Sequence, residues 1–180
     1  ETFLNKHDPK TKEQRGVYYT PEPVVDYIVH SVNEILKSDL DKEDGFANTD
    51  VTVLDPAGGT LTFLAQTAKF AIKDFTEKYG EGHRANFIKE HILKNFYAFE
   101  LMMAPYAIAH LKMSYLLDEF GYKMNDKDRF KLYLTNTLEI EDLEQTRIPG
   151  MASLSEESKQ ASLVKKKQPI LVIMGNPPYS

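Results

Sequence analysis

Four short apolar runs alternate with segments of helical periodicity, and each run feeds into a polar or glycine-bearing turn. The runs are VTVL (51–54), NFYAFE (95–100), FKLYLTN (130–136) and ILVIM (170–174). Their apolar character is continuous rather than alternating, which is the pattern of strands covered on both faces of a parallel sheet. Between them lie helical patterns. Val24, Ile28, Val32 and Ile35 repeat at helical spacing over 23–37, with Thr20 as the expected N-cap and Pro21 and Pro23 suited to the first turn. A second helix is expected over 61–79, stopped by Gly80, a short one in RANFIKEHILK, and a long one in APYAIAHLKMSYLLDEFG, closed by Gly121. Residues 141–169 are hydrophilic, and SEESKQASLVKKK within them reads as a surface helix with its lysines at the favourable C-terminal end. Strand and helix in this order predict an α/β fold, a mostly parallel sheet with helices on both faces.

Composition narrows the function classes. The 180 residues are enough for one domain with a real core, and no apolar run approaches the roughly 18 residues that cross a bilayer. Cysteine is absent, so disulfides and thiolate metal sites are excluded, which fits a cytoplasmic setting. The five histidines, at 7, 30, 83, 91 and 110, form no metal-spaced pair, and no metal is expected. A net charge of −5 is wrong for a domain that grips nucleic acid mainly through its own surface. If DNA is the partner, most of the phosphate contacts lie elsewhere.

In open α/β sheets, ligands bind beyond the carboxyl ends of the strands. Asp55-Pro56-Ala57-Gly58-Gly59-Thr60 follows the first strand. Taken alone, the glycine pair reads first as an ordinary strand-to-helix turn and second as a loop that a nucleotide approaches closely; it lacks the Gly-Lys-Ser/Thr ending of a P-loop. Glu100 ends the second strand, where an acidic group can hold ribose hydroxyls, although a solvated carboxylate is the simpler reading. Thr135-Asn136-Thr137 follows the third strand and reads as a turn or as polar contacts for a heterocycle edge. Asn176-Pro177-Pro178-Tyr179 follows the fourth and is harder to dismiss. Pro178 holds Pro177 extended, leaving the Pro177 carbonyl on a stiff backbone beside the Asn176 amide oxygen. Two converging acceptors make a socket for an NH₂ group, and Tyr179 offers a ring face for stacking.

These stretches resemble the S-adenosylmethionine-dependent amino-group DNA methyltransferases. NPPY at 176–179 matches that family's catalytic motif, DPAGGTLTFL at 55–64 its cofactor loop, FYAFEL at 96–101 its second cofactor motif, LTNTLE at 134–139 its third, and GVYYTP at 16–21 the motif that packs over the methionine end. GVYYTP ahead of the glycine loop is the order of the N6-adenine gamma class. The lead-in ETFLNKHDPKTKEQRGVYYTPEPVV is similar to the methylase segment of large single-chain restriction-modification enzymes, including the Type ISP group. The resemblance covers about 1–140 and 168–180.

The resemblance implies a Rossmann-like methyltransferase sheet of order 3-2-1-4. Residues 1–22 would be a lead-in carrying the cofactor-packing motif and 23–180 a partial catalytic domain, with 141–169 a polar insertion. Tyr19, Thr20, Pro21, Asp55, Pro56, Ala57, Gly59, Glu100, Leu101 and Asn136 would hold S-adenosylmethionine. Asn176, Pro177, Pro178 and Tyr179 would hold a flipped adenine and turn its N6 lone pair toward the methyl donor. Leu61 stands where the family usually has glycine and is expected to crowd the cofactor or shift the loop, with Gly58 restoring slack. Asn136 stands where relatives often carry aspartate. Glu1 and Ser180 read as the ends of a fragment, cut after the fourth strand, whose partners are double-stranded DNA and the remainder of its own chain. Such a fragment is expected to be inactive alone, with an unfinished edge strand prone to pairing. Two other readings remain open: methylation of an RNA base or a protein glutamine, and a non-catalytic DNA-binding or assembly module with an impaired cofactor loop.

Overall fold

The computed structural model describes residues 20–139 and 152–178. A four-stranded parallel sheet runs through the middle in the order β3-β2-β1-β4, where β1 is Val53–Asp55, β2 Phe96–Glu100, β3 Lys131–Leu134 and β4 Val172–Ile173. The α/β class and the expected strand order are therefore observed. Val53 pairs with Phe96 on one side and with Val172 on the other. Growth of the sheet thus reverses around β1, and the crevice at such a reversal is where open α/β sheets bind ligands.

The helices are α1 (Glu22–Asp39), α2 (Thr62–Tyr79), the short α3 (Arg84–Phe87) and α4 (Leu93–Asn95), α5 (Met103–Glu119) and α6 (Ala152–Lys167). Residues Ile88–Ile92, between α3 and α4, are wound as a π-helix. One face of the sheet carries the larger core. Val53, Phe96, Ala98, Leu132, Val172 and Met174 point into it and meet buried residues of α1 through α5. On the opposite face, Tyr97, Phe99 and Tyr133 are covered by Ala161 and Val164 of α6. β2 is buried along its whole length, which explains why its sequence shows no polar alternation.

Three local expectations are corrected. The buried stripe of α1 is Val25, Val29, Asn33 and Leu36, while Val24 and Ile35 are exposed. Apolar residues occupy two adjacent columns of this helix, and packing against α2 and the Gly45–Ala47 turn selects the second column. Thr20 does not cap α1; Pro21 occupies that position with no side-chain cap bond, and its carbonyl accepts the Val24 N–H (3.0 Å) and the Val25 N–H (3.2 Å). The helix in the hydrophilic stretch is not merely superficial, because α6 is the cover of the second sheet face.

Candidate active site

The loop after β1 is built around two buried carboxylates. Asp55, the last residue of β1, is 1% exposed, and its Oδ1 accepts the Ala57 N–H (3.0 Å), which turns the chain at Pro56. Burial pushes its pKa up to about 7 against the partial opposition of the Ala57 bond, and the neighbouring Glu100 charge raises it further. Glu100 is no solvated strand-end carboxylate. Its Oε2 accepts the Gly59 N–H (2.8 Å) and its Oε1 the Met102 N–H (2.7 Å), so it ties the first loop to the second. Gly58 N–H donates to the Phe99 carbonyl (2.8 Å), bringing the loop against β2. Gly59 has φ +53° and would present a β-carbon to open space, so the main chain is bare on that side.

Leu61 takes the left-handed conformation, φ 60° and ψ 41°, in which a glycine would be unstrained. Its side chain is fully buried in the core. A β-carbon on Gly58 would lie 3.3 Å from Leu61 Cδ2. The two departures from the family pattern therefore belong together: the missing side chain at 58 makes room for the one at 61.

The loop after β3 joins the same group. Thr135 N–H donates to the Glu100 carbonyl (2.8 Å), and the Thr137 hydroxyl donates to the Pro56 carbonyl. The Asn136 side chain is engaged within its own turn, with Oδ1 accepting the Leu138 N–H (3.1 Å) and Nδ2 donating to Glu139 Oε1 (2.8 Å). Leu101 and Leu138 are 66% and 90% exposed, so the second and third loops each present an apolar side chain to the surroundings.

The loop after β4 packs against the loop after β1. A β-carbon on Gly175 would lie 2.3 Å from Asp55 Oδ1 and 3.5 Å from Pro56 Cδ, so only glycine lets the two loops touch here. Asn176 follows directly, and its Nδ2 donates to Thr20 Oγ1 (3.0 Å) across 156 residues of sequence. Thr20 and Asn176 are thus brought together beside Asp55, Pro56, Ala57, Gly59 and Glu100. Pro21 adjoins Thr20 at the start of α1, and Pro177 and Pro178 are exposed beyond Asn176. Tyr19 and Tyr179 lie outside the described residues. Sequence reasoning missed Gly175 as part of this arrangement, and a glycine between a core strand and Asn176 was the available signal; Thr137, read as a turn or a heterocycle contact, instead ties its loop to Pro56.

The family profile described as N-6 DNA Methylase matches residues 1–180. The chain belongs to that family. Solved structures agree with this membership. A nuclease-deletion mutant of the Type ISP restriction-modification enzyme LlaGI, in complex with a DNA substrate mimic, is 28% identical with a TM-score of 0.70, covering 91% of this chain and 13% of that one. The ATP-dependent Type ISP enzyme LlaBIII, bound to DNA, is 33% identical with a TM-score of 0.70, covering 94% of this chain and 11% of that one. A DrdV–DNA complex is 25% identical with a TM-score of 0.71, covering 99% and 15%. This N-6 DNA methylase segment therefore spans between 11% and 15% of the length of those chains. A search of curated protein sequences gives no match. Among the described residues no helix is long and apolar enough to cross a membrane, and no group of side chains could hold a metal ion.

Proposed function

We propose that this chain is the methyl-transfer segment of a restriction-modification enzyme that methylates adenine N6 in double-stranded DNA. The observation that carries this reading is the Asn176–Thr20 bond beside the Gly175–Asp55 contact, which draws Thr20 and Asn176 to the reversal point of the sheet.

S-adenosylmethionine fits the residues present, since Gly59 leaves main chain open on one side and Glu100 holds its carboxylate at the same loop. When bound it would supply an electrophilic methyl group on a sulfonium. Thr20, Pro21, Asp55, Pro56, Ala57 and Gly59 would bind its methionine end, and Glu100, Leu101 and the turn at Asn136 its adenosine end. Tyr19 would add an aromatic contact from the lead-in. The target adenine would leave the duplex to reach the socket. The Asn176 amide oxygen would accept a hydrogen bond from one N6 proton and the Pro177 carbonyl one from the other, with Thr20 holding the Asn176 nitrogen end. These bonds would localise the nitrogen lone pair, with Pro178 stiffening the carbonyl and Tyr179 stacking on the base. The work of the residues is positioning and electrostatics. DNA contacts and the recognition sequence would come mainly from further parts of the parent protein. The inward Leu61 supports this reading over a non-catalytic module.

The test is methyl transfer by the full-length protein from labelled S-adenosylmethionine to duplex DNA, RNA and protein glutamine in parallel. Label in DNA, located at adenine N6, is the expected result. Label only in RNA or protein, or none with any acceptor, would overturn the proposal.

A further inference from the structure

Lys165 lies near the end of α6, in the stretch whose sequence reads as a solvated surface helix. Its ammonium donates to Thr135 Oγ1 (3.0 Å), to the Asn136 carbonyl (2.6 Å) and to the Glu139 carbonyl (2.8 Å). An ammonium has three protons, so all three are placed on acceptors of one loop. The charge also lies over the Phe99 ring, 5.2 Å from its centroid. A lysine that served only the helix dipole needs to point no further than solvent; this one reaches across to the loop after β3.

Two of the three acceptors are main-chain carbonyls, so the contact decides where the backbone of residues 135–139 runs. That same loop is tied on its other side to the Glu100 carbonyl through the Thr135 N–H (2.8 Å) and to the Pro56 carbonyl through the Thr137 hydroxyl. The connection therefore runs from α6, through the loop, to both the acidic strand end and the glycine loop. We infer that Lys165 is a positioning residue for cofactor binding, clamping the 135–139 loop in the arrangement that receives the adenosine end of the cofactor. This rests on the proposed function. Lys165 would touch neither the cofactor nor the reacting atoms; it acts by denying the loop other conformations. Burial lowers its pKa, partly countered by the Glu139 charge.

The test is calorimetric titration of the full-length protein with S-adenosylhomocysteine, alongside KM and kcat for methyl transfer. Wild type is compared with Lys165→Met, which keeps the apolar stem, with Lys165→Arg and with Thr135→Val. Lys165→Met is expected to weaken binding about tenfold and to raise KM for S-adenosylmethionine in step, since it leaves three acceptors without their charged donor. Its kcat at saturating cofactor and its melting temperature should stay near wild type. Lys165→Arg should recover part of the loss, and Thr135→Val should weaken binding by a smaller factor. If Lys165→Met does not fold, Thr135→Val and Lys165→Arg carry the measurement. Wild type that binds while every variant binds equally well overturns the clamp and leaves the proposed function standing. Wild type that does not bind overturns the proposed function and the clamp with it.

Discussion

The two ends of the sheet bury polar groups in opposite ways. At the amino ends of the strands, His91 and Asn33 are buried but neutral and partnered. Asn33 Oδ1 accepts the Phe46 N–H (3.0 Å), and His91 Nε2 lies 2.9 Å from the Phe46 carbonyl. His91 Nδ1 lies 3.0 Å from Asn95 Nδ2, which also donates to the Thr49 carbonyl (2.8 Å). These partners fit a neutral imidazole with its proton on Nε2. At the carboxyl ends, Asp55 and Glu100 bury two like-charged groups side by side. The first arrangement satisfies main chain and stabilises. The second opposes stability, which marks the carboxyl ends of the strands as the candidate site.

The largest effect that would break this contrast is at Asn176. Asn176→Ala in the full-length protein should lower kcat by about 10²–10³, the scale of losing one preorganised group at a reacting centre, with melting unchanged because the side chain is only half-buried. Unchanged turnover would remove the functional meaning of the carboxyl end. His91→Ala should do the reverse, costing about 2 kcal/mol through the unpaired Phe46 carbonyl and the lost ring packing on Phe87 and Phe96, while turnover per folded molecule stays level. Denaturant unfolding checks the cost.

Leu61→Gly sharpens the comparison from within the site. It relieves about 1 kcal/mol of left-handed strain but forfeits a fully buried leucine worth about 2–5 kcal/mol, so a net loss of stability is expected. Cofactor affinity should stay within a few-fold of wild type. Tighter binding in the variant, measured by titration, would mean that Leu61 does crowd the cofactor.

The last contrast is in pH dependence, where the two ends have opposite signs. Asp55 titrates near 7 in the fold against 3.8 ordinarily, so the folded state keeps a proton that the unfolded chain releases. Its contribution therefore declines as pH rises from about 4 to about 7. Burial lowers the His91 pKa from 6.5, so the unfolded chain binds a proton first and stability is lost as pH falls below that value. Amide exchange should show this locally: Asp55→Asn flattens the rise in exchange toward neutral pH at residues 55–59, and His91→Gln flattens the rise toward acid at residues 45–49. Equal slopes in wild type and variants would remove the distinction.

Much of the fold was legible because its signals are short-range. Gly80 stops α2 with φ 85°, and the continuous apolar run 96–99 needs two covers, which it has. The arrangement of the loops was legible in part: Asp55, Glu100 and Asn176 all stand at the carboxyl ends of the strands, while the Asn136 side chain is engaged in its own turn. The burial of Glu100 was not legible, since a carboxylate at a strand end looks the same in sequence whether it meets water or two N–H groups. Nor was the role of α6, whose lysine-rich end hides Ala161 and Val164.

By itself the sequence determined which segments are strands and helices, where glycine or proline constrains the backbone, and that stiff acceptors follow the fourth strand. These depend on bond rotation and on periodicity within a few residues. Only the tertiary structure decided that Val25 rather than Val24 faces the core, that Leu61 turns inward over a bare Gly58, that Thr20 meets Asn176, and that Lys165 reaches the loop after β3. Each of those is a choice among locally equivalent options, and it is made by packing between segments far apart in the chain.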